Sequence, residues 1–171
     1  MKFKKGFTLI ELLIVIAIIA ILAGVVFVSL DPLTRFRDAR DASRWTDVTA
    51  VLSAIKVDQV DNRGPYLGVV ASAADDKNYL VGTNGATGCN YAVGVGCKVA
   101  TENNCIDLAG VVGSGVGLKE EGYLGKIPVN PNGEGTWTEA KSGYYVRRNK
   151  NNSVSVGSCD TESTAEIEVT R

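Results

Sequence analysis

From Leu12 to Val28 the chain carries no polar side chain. Nothing else in it narrows the fold as much. A run of this kind reads as a membrane-spanning helix, which needs roughly 17–25 apolar residues. The anomaly is Glu11, set at the mouth of the run. A carboxylate inside a bilayer helix costs ~2.5–3.5 kcal/mol at the centre and less near an end. A plain anchor gains nothing from it. A segment that later pairs this charge with a cation does.

The rest of the chain sets wider bounds. A length of 171 residues suggests one domain plus an anchor. The formal net charge is −1, so composition gives no support for general nucleic-acid binding. The absence of histidine removes the commonest general base and the commonest metal ligand. There is no Ser/His/Asp set, no P-loop, no Gly-x-Gly-x-x-Gly after a strand and no zinc-protease helix motif. A cysteine nucleophile would lack a histidine base. An enzyme is not expected.

The residues around Glu11 are more specific. Lys4-Lys5-Gly6 leads into Phe7-Thr8-Leu9-Ile10-Glu11 and then into the unbroken apolar helix. This pattern resembles the N-terminus of the type IV pilin and type II secretion pseudopilin superfamily. The close match covers about the first 30 residues. The resemblance implies cleavage between Gly6 and Phe7 by a prepilin peptidase and methylation of the new Phe7 amine. It also implies a role for Glu11 in assembly, its carboxylate meeting the N-terminal amine of an adjacent subunit. An α-amine with a pKa of ~7.7–8.0 is largely cationic near neutral pH, so the pair offsets part of the cost of a buried charge. The alternative is that Glu11 lies at the membrane interface or pairs with its own Phe7 amine. The implied partners are further copies of the chain, the peptidase, an ATP-driven inner-membrane assembly platform, and membrane lipids before assembly.

An ordinary secretory signal fits less well. Its apolar core spans about 7–15 residues and ends at a small-residue cleavage site. Here the run is longer and no Ala-x-Ala site closes it. Lys2, Lys4 and Lys5 favour a cytoplasmic N-terminus, while Arg35, Arg37, Arg40 and Arg44 on the other side oppose it. The resemblance resolves the conflict, because the leader must be cytoplasmic. The head is then outside the cytoplasm, the protein residing first in the inner membrane and later in a filament.

The expected fold is α+β and pilin-like: a long N-terminal transmembrane and amphipathic helix packed on a small antiparallel sheet. Its divisions are a leader at 1–6, a membrane or filament-core helix at 7–30, an amphipathic half at 31–62 and a globular head at 63–171. Where the superfamily often has proline, this chain has Val28; Pro32 follows Asp31 instead. Asp31-Pro32 reads either as a cap with proline in the first turn of a second segment or as a kink in one helix. Leu33, Phe36, Trp45, Val48, Leu52 and Ile55 form an apolar stripe, expected to be the core face. Asp31 with Arg35, and Arg37 with Asp41, are i,i+4 charge pairs on an expected solvated face.

Asn62-Arg63-Gly64-Pro65 breaks the helix. Strand candidates are Leu80-Val81, Asn90 to Val95, Gly143–Arg148, Ser153–Ser158 and Ala165–Thr170. Lys150-Asn151-Asn152 reads as a hairpin, Leu118 to Leu124 as a short helix, and Ile106 to Val112 is ambiguous. Tyr144 and Tyr145 alternate across a strand, so one of them should face the core. Arg147, Arg148 and Lys150 make a small basic cluster of ordinary surface type.

Cys89, Cys97, Cys105 and Cys159 lie in the exported part, and an even count favours two disulfides. Of three pairings, Cys89–Cys97 with Cys105–Cys159 is preferred: one short staple, one tie to the C-terminal strands. The spacing does not match a structural zinc site. The loop Pro128-Val129-Asn130-Pro131-Asn132-Gly133 loosely resembles one that helps hold calcium in major pseudopilins. The nearby acids are Glu134, Asp160 and Glu162, with no compact acidic motif, so a structural turn is preferred to a calcium site. No metal or other cofactor is otherwise expected.

The expected function is a structural filament subunit, of a type IV pilus-like fibre or a type II secretion pseudopilus. An intact Glu11 favours a bulk subunit. Head size and the turn-rich loop lean toward a pseudopilin, and four cysteines lean away from it. The alternative is a membrane-anchored binding module that never polymerises.

Overall fold

The computed structural model describes residues 6–61, 63, 68–82, 97, 105–110, 117–131 and 137–171. They fall into two compact units, Met1–Arg37 and Asp38–Arg171.

The first unit contains helix α1, Leu9–Leu30. Its many Ile and Val residues are indifferent helix formers in water. In a bilayer they have no choice, because each backbone N–H and C=O must be satisfied within the segment. At 22 residues the helix is about 33 Å long, enough for a ~30 Å hydrocarbon core. No α1 side chain is buried within the chain. Asp31 ends it in the left-handed region, at φ 37°, a conformation Asp tolerates better than most residues. Pro32 then opens α2, Pro32–Asp61, where a missing N–H costs nothing. The Thr34 hydroxyl donates to Asp31 Oδ2 at 2.6 Å. The junction is a cap with proline in the first turn.

The second unit is α+β. A five-stranded sheet packs against α2. Its strands are β1 (Lys77–Val81), β2 (Cys105–Ile106), β3 (Tyr144–Arg148), β4 (Val154–Ser158) and β5 (Glu168–Thr170). Their spatial order is β2-β1-β3-β4-β5. All neighbours are antiparallel except the edge pair β1–β2, which is parallel. A short helix α3, Gly68–Ala71, precedes β1. The hairpin at Lys150–Asn152 closes with Asn149 N–H donating to Ser153 O at 2.9 Å. Leu118 to Leu124 forms hydrogen-bonded turns rather than a helix; the seven residues are too few to hold one without caps. The candidate strand at 90–95 lies outside the described residues.

Strand alternation divides the sheet's side chains. Val81, Tyr144, Val146, Val154, Val156 and Ile167 join Val48, Val51, Leu52 and Ile55 of α2 in the main core. On the other face Leu80, Tyr145 and Trp137 form a second cluster with Cys97. Both tyrosines are therefore buried, one on each face, where one was expected to be. Gly157 lies opposite Tyr145, and a Cβ there would come within 2.4 Å of the ring. Only glycine admits the tyrosine.

The stripe on α2 differs from the expected one. Its buried positions are 41, 44, 48, 51, 52, 54, 55 and 58. Trp45 is 39 % exposed, and Leu33 and Phe36 more so. One turn before Val48 the head buries Arg44 rather than Trp45, which points about 100° away around the helix. Asp41 thus leaves the expected solvated face for the core, and Arg44 is buried beside it.

The disulfide preference is also corrected. Cys97 bonds to Cys159. Cys105 is disulfide-bonded as well, and Cys89 lies outside the described residues. Cys105 could not reach Cys159. It sits on β2, level with Leu80 of β1, Tyr145 of β3 and Gly157 of β4. Three strand spacings of ~4.8 Å put it roughly 14 Å from β4, twice the span of a disulfide.

Two outcomes follow for denaturation of the head. Leu52→Ala, at a fully buried site, should cost about 2–5 kcal/mol, whereas Phe36→Ala, at an exposed one, should stay within about 0.5 kcal/mol. Removing the Cys97–Cys159 bond, which closes a separation of 62 residues, by replacing both cysteines with serine should cost about 2–5 kcal/mol. Urea midpoints of these variants against the parent chain, with the Cys105 bond left oxidised, measure both.

Candidate functional site

The N-terminal site begins with Gly6 and Phe7, both exposed and ahead of α1. Thr8 is the N-cap of α1. Its N–H and its hydroxyl both donate to Glu11 Oε2, at 2.9 and 2.8 Å. The Glu11 N–H returns a bond to Thr8 Oγ1 at 3.3 Å. This reciprocal capping box satisfies two otherwise orphaned helix donors. It also places a negative charge at the positive end of the helix dipole. Phe7-Thr8-Leu9-Ile10-Glu11 therefore acts as a local unit, with Thr8 and Glu11 at the three-residue spacing that the box requires. Thr8's part in it was legible in the sequence as a Thr-x-x-Glu pattern before an apolar run, but was not singled out there.

The head holds a second arrangement, around the loop at Asn130. Arg44 is fully buried. Its Nε donates to Asn130 Oδ1 at 2.8 Å and its Nη1 to Asp41 Oδ1 at 2.7 Å. Its Nη2 donates to Pro131 O at 3.0 Å and to Glu162 Oε1 at 2.8 Å. Arg40 also pairs with Glu162. Asn130 passes the connection on, donating to Gly143 O at 3.1 Å and Ser158 Oγ at 2.8 Å. Asp160 accepts from the Trp137 indole N–H. Of the acids expected near this loop, Glu162 and Asp160 are thus engaged, and Glu134 lies outside the described residues. Among the described residues no group of three or more His, Cys, Asp or Glu could hold a metal ion.

Asp41 fixes the C-terminal segment. Its carboxylate accepts the N–H groups of Glu162, Ser163 and Thr164, the last two at 2.7 and 3.0 Å, and the Thr164 hydroxyl at 2.9 Å. Burial alone would raise its pKa, but the Ser163, Thr164 and Glu162 donors outweigh it and bring the value from 3.8 to about 2. Glu162 falls from 4.5 to about 2, chiefly through its bond to Arg40, then through Arg44. Neither Asp41 nor Arg44 was named as a site residue. The available signal was their register with Val48, Val51 and Ile55, which an apolar-only reading passes over.

The basic cluster is neutralised. Arg147 pairs with Glu168, Arg148 with Asp75 at 2.7 Å and Lys150 with Asp76 at 3.1 Å.

Both depressed carboxyl groups contribute stability that is complete above their unfolded values, 3.8 and 4.5, and is lost as the pH falls toward 2. The urea midpoint of the head should thus be level at higher pH and decline from about pH 4.5 downward. Asp41→Asn should lower the neutral-pH midpoint and make the acid decline shallower.

Comparison with known proteins agrees with this geometry. Residues 1–27 match the prokaryotic N-terminal methylation motif. The chain is 33 % identical over 155 residues to fimbrial protein Q of Moraxella bovis, covering 81 % of this chain and 86 % of that protein. No solved structure matches. A shared N-terminal motif, a relative aligned along most of both chains, and an apolar helix followed by an α+β head lead to one conclusion: the chain belongs to the type IV pilin family.

Proposed function

We propose that this chain is the structural subunit of a surface fimbria. A prepilin peptidase cuts it between Gly6 and Phe7 and methylates the Phe7 amine. It waits in the inner membrane with its head outside the cytoplasm, and an assembly platform then draws it into a filament. The observation that carries this reading is α1 with the Thr8–Glu11 box at its start. All 22 residues lack cover from their own chain, and such an apolar surface is stable only in lipid or against other helices. In lipid the box shares the Glu11 charge with Thr8. In a filament the freed Phe7 amine of a neighbouring subunit supplies the cation. The fimbrial name of the relative favours a surface fibre over a secretion piston.

The test begins with the intact mass of the protein from cells. Loss of residues 1–6 and gain of one methyl are expected; an uncut N-terminus would return the chain to the anchored-module reading. Glu11→Ala should then abolish sheared surface filaments while the membrane pool persists. Unchanged filament yield would refute the role given to Glu11.

A further inference from the structure

Asn151-Asn152-Ser153, in the β3–β4 hairpin, is the one Asn-x-Ser/Thr triplet in the chain. Such a triplet is the acceptor pattern for an N-linked glycan. Chance also produces it, so the geometry decides. The Asn152 N–H donates to Asn149 O at 2.9 Å, and Asn152 takes a left-handed φ of 64°. This tight turn leaves Asn151 and Asn152 exposed at its tip. A bulky sugar has room there without displacing a core side chain. Ser153 donates its N–H and its hydroxyl to Asn151 Oδ1, at 3.1 and 2.7 Å. Asn149 Nδ2 orients that hydroxyl by donating to it at 2.8 Å. Both bonds use the Asn151 oxygen, and its Nδ2 donates to no described residue. An amide nitrogen is a poor nucleophile because its lone pair is delocalised onto the oxygen. Two donors on that oxygen stabilise the negative charge it carries once Nδ2 loses a proton, which eases the loss.

We propose that Asn151 Nδ2 is the acceptor for an N-linked glycan, the donor being a sugar with a phosphate leaving group on its anomeric carbon. Nδ2 forms the bond to the anomeric carbon and gives its proton to a base of the glycosyltransferase. The bond from that carbon to the phosphate oxygen breaks, and the phosphate leaves with the electron pair. Two sources share this chemistry: a nucleotide-linked sugar in the cytoplasm, or a polyprenyl-linked sugar beyond the membrane. The second rests on the filament reading only in that the head is exported. Ser153 is a positioning residue, acting through Asn151 Oδ1.

The experiment takes the full chain from the cells that make it. A glutamate-specific protease releases residues 140–162 as one peptide. Mass spectrometry should find the mass of one or more sugar residues on that peptide, and fragmentation should place it on Asn151. Asn151→Gln and Ser153→Ala should each abolish the gain. Ser153→Thr, which restores the hydroxyl, should keep it, and so should Asn152→Gly, which suits the left-handed turn. Blocking the synthesis of polyprenyl-linked sugars separates the two donors: the gain disappears with a lipid-linked donor and persists with a nucleotide-linked one. A bare 140–162 peptide would overturn the proposal. So would a sugar that survives Asn151→Gln, because it would then sit on a hydroxyl. The N-terminal peptide of the same digest reports leader cleavage. A cut, methylated N-terminus beside a bare 140–162 peptide therefore rejects the glycan and leaves the filament reading standing.

Discussion

The head is organised around a buried guanidinium. Apolar contact between α2 and the sheet supplies most of the driving force, but it is non-directional and tolerates sliding. Arg44 is not tolerant. Four of its N–H groups meet oxygens from α2, from the loop before β3 and from the segment after β4. Any shift of one stretch against another would leave a charge unpaired in the interior, at a cost of about 3–5 kcal/mol. The rest follows from that alignment. Asn130 is held where it bonds Gly143 and Ser158. Cys159, next along from Ser158, donates its N–H to Gly143 O at 2.9 Å and is bonded to Cys97. The second core cluster of Leu80, Trp137 and Tyr145 closes over that disulfide.

The two units solve opposite solvation problems. In the head, polar groups that leave water find partners within the chain, as Arg44, Asn130 and Tyr144 do; the Tyr144 hydroxyl donates to Asp47 at 2.6 Å. In α1 the apolar side chains find none. Its one carboxylate is the exception that carries information, and even that is paired locally with Thr8 at the helix start. A pilin needs both solutions in one chain: a segment whose surroundings are exchangeable and a head whose structure does not depend on them.

Legibility in the sequence tracked the range of the interaction. The membrane-length helix, the break at Asp31-Pro32, the hairpin at Lys150–Asn152 and the three C-terminal strands rest on periodicity and turn chemistry among near neighbours. The motif around Glu11 was equally plain, because its residues act within one helical turn. The core face of α2 was half legible: Val48, Leu52 and Ile55 were found, but Trp45 was preferred to Arg44. Apolarity is a poor guide where a charged side chain is buried by its partners. Those partners, Asn130 and Glu162, lie 86 and 118 residues away.

The cysteines mark the same boundary. Sequence alone established that they are four, an even count suited to two disulfides. It also determined the long apolar N-terminal helix, the N-terminal methylation motif and the α+β class, since each depends on local pattern or composition. Only the tertiary structure decided which cysteines bond, which residue fills the centre of the head and which tyrosine faces which core. Contacts between distant stretches govern all three: the Arg44 oxygens come from separate stretches, strand register assigns the two tyrosines, and strand order places β1 and β3 between Cys105 and β4, which puts one cysteine pairing out of reach. That order is a property of contacts between residues far apart in the chain, and no local pattern encodes it.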